Sequence, residues 1–118
     1  MTEQVFKGRT EDAQAPFLNA KFWAKGKTVV GVVERSFDTE NGTCFVLHSL
    51  KPIEVDGDDT DRFSVGGMAG FRMALQAAGV AGLRIGDKLY IECTGETPAV
   101  KEGNSPRVNF AIELTRST

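Results

Sequence analysis

The side chains able to do chemistry in this sequence are few, and their spacing restricts what they can do. His48 is the single histidine; it sits in an apolar run, and no serine or cysteine stands at a recognisable nucleophile elbow. Nucleophilic catalysis needs a base within hydrogen-bond reach and a third group to orient that base. The sequence therefore predicts no enzyme, and His48 reads as a satisfied strand histidine. Cys44 and Cys93 are far apart, each inside an apolar run, and neither has a second cysteine or a histidine at metal-ligand spacing. They read as two buried thiols, with neither a disulfide nor a zinc site expected. The acidic stretch Asp56-Gly57-Asp58-Asp59-Thr60-Asp61 has the charge of a calcium loop but lacks its alternating oxygen ligands and distal glutamate. Gly66, Gly67 and Gly70 have the wrong spacing for a phosphate-binding loop and lack its lysine. No metal and no cofactor is expected.

Recognition is the chemistry left. Aromatic and basic side chains interleave at Arg35 and Phe37, at Phe45, at Arg62, at Lys88 and Tyr90, and at Lys101 and Arg107. Rings of this kind stack on nucleic-acid bases without regard to sequence, and arginine and lysine track phosphates. Each position also has a core reading. Tyr90 alternates with Leu89 and Ile91 and so shares the polar face of its strand with Lys88 and Glu92. Phe45 lies at a fork: either Phe45 and Leu47 face the core, or Cys44, Val46, His48 and Leu50 do, and only the second case displays Phe45. Trp23, among Phe17, Leu18 and Phe22, reads either as cover for an open barrel end or as a stacking residue.

The elements that must position these groups follow from periodicity. Residues 1–16 are polar and aperiodic and read as a flexible arm, leaving 17–118 as a single domain. The β-branched run 27–37 predicts a long first strand with Gly31 as a place to bend or bulge. Asn41-Gly42 predicts a hairpin into a second strand over 43–50. The stretch 54–61 reads as a solvated acidic loop, or as one with a short extension of the second strand on its near side, before a short third strand, 62–65. Residues 68–78 carry Phe71, Leu75 and Ala78 on one helical stripe, with Gly79 as the C-terminal cap. Alternation returns over 88–94, with Leu89, Ile91 and Cys93 inward, and over 107–114, with Val108, Phe110, Ile112 and Leu114 inward. The connection 95–106 is long and polar.

Eight phenylalanines and 13 glycines in 118 residues suit short packed strands joined by tight turns. The net charge of −2 conceals a division, because five acidic residues fall within 54–61 and the remaining body is mildly basic. No run reaches the roughly 20 apolar residues of a membrane span, and the first 20 residues lack a secretion signal. A protein of the bacterial or host-cell cytoplasm is expected.

Three strands, a helix and two strands is the β-β-β-α-β-β order of the OB-fold, a mainly β, five-stranded Greek-key barrel with its helix between strands three and four. The segments Gly31-Val32-Val33-Glu34, Gly70-Phe71-Arg72-Met73-Ala74-Leu75, Gly86-Asp87-Lys88-Leu89 and Arg107-Val108-Asn109-Phe110 resemble the small OB-fold single-stranded DNA-binding proteins of bacteriophages. The resemblance implies single-stranded DNA binding in replication or recombination, with RNA as an alternative strand. It does not extend to the acidic tail through which many such proteins recruit partners, since 113–118 read Glu-Leu-Thr-Arg-Ser-Thr. Few clustered cations imply weak binding by one domain, so a homo-oligomer is expected. The rival expectation is a protein-interaction module, a virion or assembly component or an inhibitor of a host nucleic-acid enzyme, acting through the acidic stretch and the arm. The two differ in one observable, whether the basic and aromatic side chains share a face.

Overall fold

A computed structural model of the chain describes residues 15–40, 42–100, 103 and 106–116. The elements run β1 (Thr28–Thr39), β2 (Gly42–Val55), β3 (Asp58–Gly66), α1 (Ala69–Ala77), β4 (Lys88–Thr97) and β5 (Arg107–Thr115). The five strands form one antiparallel sheet in the order β3-β2-β1-β4-β5. β1 is thus central, paired with β2 along most of its length and with β4 along its first five residues, Thr28 to Val32. Among the described residues no ladder joins β3 to β5, so the sheet is open at those two edges.

Two local expectations are corrected. The acidic stretch is a hairpin rather than a loop: β2 runs on to Val55, β3 starts at Asp58, and Val55 pairs with Asp58 around a two-residue turn. Asp56 and Gly57 take φ of 52° and 87°, the left-handed pair that a tight hairpin requires and that Asp-Gly adopts at low cost. The bend expected at Gly31 lies further along β1, where the pairing with β2 skips Glu34 between Val33 and Arg35. Gly31 has a different task. A Cβ there would sit 3.0 Å from the His48 carbonyl oxygen and 3.1 Å from the Phe63 ring, so its bareness lets the two strands and that ring close up.

The main core is built from one face of the sheet, while Cys44 and Val46 are buried on the other. Val29 and Ile91, Gly31 and Leu89, and the row Val33, Leu47 and Phe63 share that face through the ladders. Phe71 from α1, Val108 from β5 and Leu18, Phe22 and Trp23 from the chain before β1 complete it. Ala15 and Pro16, placed in the arm by sequence, are already on the body. The Ser64 hydroxyl donates to the Ala15 carbonyl at 3.1 Å, and the Ser64 amide to that of Pro16 at 2.9 Å. Leu18 N–H donates in turn to the Ser64 carbonyl, which makes residues 16–18 a parallel extension on the β3 edge. Trp23 then packs edge-on against Phe110 of β5 at 5.0 Å, its indole N–H donating to the Leu18 carbonyl at 3.3 Å. The segment therefore runs from one sheet edge towards the other and answers the question of Trp23 in favour of the core. Residues 1–14 of the expected arm lie outside the described residues.

At the start of β4, Asp87 is only 2% exposed; it accepts from Arg116 at 2.8 and 2.9 Å and from the Arg84 amide at 2.7 Å. The Arg116 bond is the largest influence holding this carboxyl below its ordinary range, against the opposing effect of burial. Both thiols are buried and unbridged. No helix among the described residues is long and apolar enough to cross a membrane.

Candidate nucleic-acid interface

Cross-strand partners point to the same side of a sheet, so the ladder register sorts side chains by face. Opposite the core, one row crosses the whole sheet: Arg62 of β3, His48 of β2, Val32 of β1, Lys88 of β4 and Thr115 of β5. From Arg62 to Lys88 this row spans three strand spacings, about 14 Å. The next outward residues on β1, β4 and β5 are Val30, Tyr90 and Glu113, again directly paired. On the other side of the row, the skipped Glu34 restores the phase so that Arg35 pairs with Val46 and Phe37 with Cys44, both on the outer face. Five of the eight positions expected from sequence thus lie on one side of the sheet, Arg35, Phe37, Arg62, Lys88 and Tyr90, but the Arg35 end of that side is covered: Val46 and Cys44 are buried there, and so are Nε and Nη2 of Arg35.

The other three do not join them. The fork on β2 resolves with Phe45 half-buried against the core and His48 outward. Arg107 begins β5, eight residues or roughly 27 Å along that strand from Thr115. There it donates to Asn109 Oδ1 at 3.0 Å and Thr97 Oγ1 at 3.3 Å, and its Nη1 lies 3.6 Å from Met73 Sδ, tying the sheet to α1. Lys101 lies outside the described residues.

The charges on this surface are largely balanced. Arg62 Nε donates to Glu34 Oε2 at 3.0 Å, and its Nη1 lies 3.4 Å from Asp61 Oδ1. His48, with about half its side chain exposed, has Nδ1 4.0 Å from Glu34 Oε1 and Nε2 3.7 Å from Asp61 Oδ2. Lys88 is different: it is exposed and has no ion pair among the described residues. It lies between two shallow grooves, of about 380 Å³ beside Leu50, Lys51 and Ile53 and of about 240 Å³ beside Tyr90 and Glu113, which meet at Val30 and Lys88. Tyr90 is half-buried there, its hydroxyl donating to Glu92 Oε1 at 3.0 Å. That bond, then reduced hydration and the charges of Glu92 and Glu113, raise its phenol above the ordinary value.

Compared with protein-family models, characterised proteins and solved structures, the chain matches none. Its chemistry is accordingly read from the site itself. An exposed ring (Phe37, 39% exposed), an anchored ring (Tyr90) and two cations about 14 Å apart, Arg62 and Lys88, suit an extended polyanion with flat groups better than a compact ligand. Sequence reading missed His48, Glu34 and Asp61 as members of this surface. Strict alternation places Glu34 and Arg35 on opposite faces, and only the skipped residue in β1 brings both outward. Their sequence signal is the strand run itself; no motif marks the irregularity.

Proposed function

We propose that this protein binds single-stranded nucleic acid, DNA in the first instance, on the outer face of an OB-type fold, without catalysis and with little regard to sequence. The observation that carries the reading is the shared face: Phe37, Arg62, Lys88 and Tyr90 lie on one side of one sheet together with the largely covered Arg35, and His48 stands beside Arg62 in the row. The strand order, with β1 between β2 and β4 and the helix before β4, is also the order that an OB barrel has when its β3 and β5 edges approach. A strand laid from Arg62 to Lys88 crosses β3, β2, β1 and β4 and passes Tyr90, where a base can stack. The resemblance to bacteriophage single-strand binders adds the setting, replication or recombination. Because Glu34 and Asp61 already compensate Arg62, one domain binds weakly, and several copies along a strand supply the affinity.

The test is fluorescence anisotropy of a labelled oligothymidine of about 30 nucleotides, longer than the roughly 4–16 that one OB fold covers. It is run at low and near-physiological salt against a duplex of the same length. Binding to the single strand alone, weakened by salt, is the expected result. No binding to either at high micromolar protein overturns the reading and turns attention to a protein partner for the acidic stretch, 54–61, and the N-terminal arm.

A further inference from the structure

The trough beside Tyr90 has one feature that a purely sequence-tolerant surface does not need. Glu113, directly opposite Tyr90 on β5, is exposed and has no hydrogen bond or ion pair among the described residues. A carboxylate in a phosphate-binding surface repels the backbone, yet opposed Cβ atoms are only about 4.5–5.5 Å apart, which places this one at the edge of any base stacked on Tyr90. An ionised carboxylate only accepts hydrogen bonds and does so best in pairs. Among the common bases, guanine alone offers two adjacent donors on its Watson–Crick edge, N1–H and the N2 amine. Thymine and uracil offer a single N–H between two carbonyls, and adenine and cytosine an amine beside a ring nitrogen lone pair. Lys88 stands two residues from Tyr90 on the same face of β4, about 6.8 Å along the strand, with the Thr115 hydroxyl group across from it.

We infer that Tyr90, Glu113 and Lys88 form a guanine-reading position within the single-strand face: Tyr90 stacks the base, Glu113 accepts from N1–H and N2–H, and Lys88 meets the attached phosphate. The inference rests on the single-strand reading above. A groove of about 240 Å³ is smaller than the roughly 300–1,000 Å³ of sites that enclose a whole drug-sized ligand, which favours a base presented by a strand over a free nucleotide.

The experiment compares oligothymidines carrying one central guanine, one central inosine, which lacks the N2 amine, or neither, by anisotropy with the wild-type chain and with Glu113→Gln and Tyr90→Leu. The expected result is about tenfold tighter binding of the guanine strand than of the other two, the size of one good bidentate base contact. In Glu113→Gln that ratio falls towards one, while oligothymidine itself binds somewhat tighter because a charge repelling its phosphates is gone. Equal affinity for the three strands, or a guanine preference that Glu113→Gln leaves intact, overturns the inference and leaves the single-strand reading standing. No binding of any strand overturns both. Competition with 5′-GMP separates the two sources of guanine: displacement at concentrations comparable to the guanine strand assigns the trough to a free nucleotide and overturns the strand-borne position. Thermal melts of both variants, unchanged from wild type, show that a lost preference is not a lost fold.

Discussion

Replacing Gly70 by alanine tests how α1 is held. An ideal Cβ at Gly70 falls 1.9 Å from the Val108 carbonyl oxygen and 3.5 Å from the Phe110 ring. The obstacle is backbone in a paired strand, so no side-chain rotation relieves it. Ordinary contact begins near 3.4 Å, and α1 must therefore retreat from β5 by about 1.5 Å. A gap of 0.5–1 Å already forfeits a quarter to a half of a dispersion contact. Phe71, buried against Phe110 at 6.2 Å between ring centres, loses much of its packing. Overpacking of this severity belongs at the upper end of the usual range, about 3 kcal/mol. Alanine returns about 1 kcal/mol through its better helix propensity. The net expectation is destabilisation by about 2 kcal/mol, a fall in Tm of roughly 8 °C for a chain of this length. Urea unfolding followed by far-ultraviolet circular dichroism should show a lower midpoint at unchanged slope. The sign is the diagnostic: at an exposed helix position the same change stabilises, so a Gly70→Ala protein as stable as wild type, or more so, refutes the close seating of α1 on β5. Gly79→Ala is the companion, since φ there is +76° with open space around it, and it should cost only about 1 kcal/mol for the left-handed backbone.

The remaining expectations concern the face and its support. Lys88→Gln should reduce the slope of log affinity against log salt by about 0.7, the value of one phosphate contact on a single strand. Arg62→Gln should reduce it less, because Arg62 must first leave Glu34 at 3.0 Å; equal effects would contradict the charge balance described for this row. Tyr90→Leu should weaken oligothymidine binding by about 1–3 kcal/mol in anisotropy titrations, the value of one stacked base, and an unchanged affinity would remove Tyr90 from the site. Asp87 has a depressed folded-state pKa, so the stability it contributes is complete above the unfolded carboxyl value of about 3.9 and is lost as pH falls through the lower folded value. Arg116→Gln leaves that carboxylate buried with the Arg84 amide as its remaining partner and should lower the urea midpoint at neutral pH, an unchanged midpoint contradicting the role given to the pair. The acid unfolding curve of Arg116→Gln should also lose the part of its slope below pH 4 that the bond to Arg116 creates.

The order of elements was legible because each strand and the helix carries its own period, and the helix from Ala69 to Ala77 lies within one residue of the span predicted at either end. The second hairpin was hidden by charge. Five carboxylates suggest solvent, yet Val55 is buried among them and Ile53, just before the first, packs on the core, an alternation that the acidic residues mask. The outward face of β4 was readable from Leu89, Ile91 and Cys93, so Lys88 and Tyr90 were placed correctly in relation to the core. On β2 both phases are apolar, and the choice between them depends on pairing with Val33 and Phe63, which no local pattern encodes. Arg107 illustrates the converse: a cation flanking a polar loop looks available, but neighbours from β4, β5 and α1 occupy its guanidinium.

The short stretch Pro16 to Leu18 on β3 has a bearing on how copies behave when crowded. An uncovered strand edge is a template on which another chain can add itself, and proteins with such edges protect them. Here the Ser64 amide and carbonyl are already taken, and Gly70 of α1 lies against the Val108 carbonyl on β5. If many copies line up on one nucleic-acid strand, their local concentration becomes very high while their sheets stay separate units. A chain shortened to begin at Leu18 would keep that core side chain but enter the crowd without the Ala15 and Pro16 carbonyls that hold the Ser64 hydroxyl and amide, and its characteristic failure would be addition of another chain at β3 rather than release from the strand.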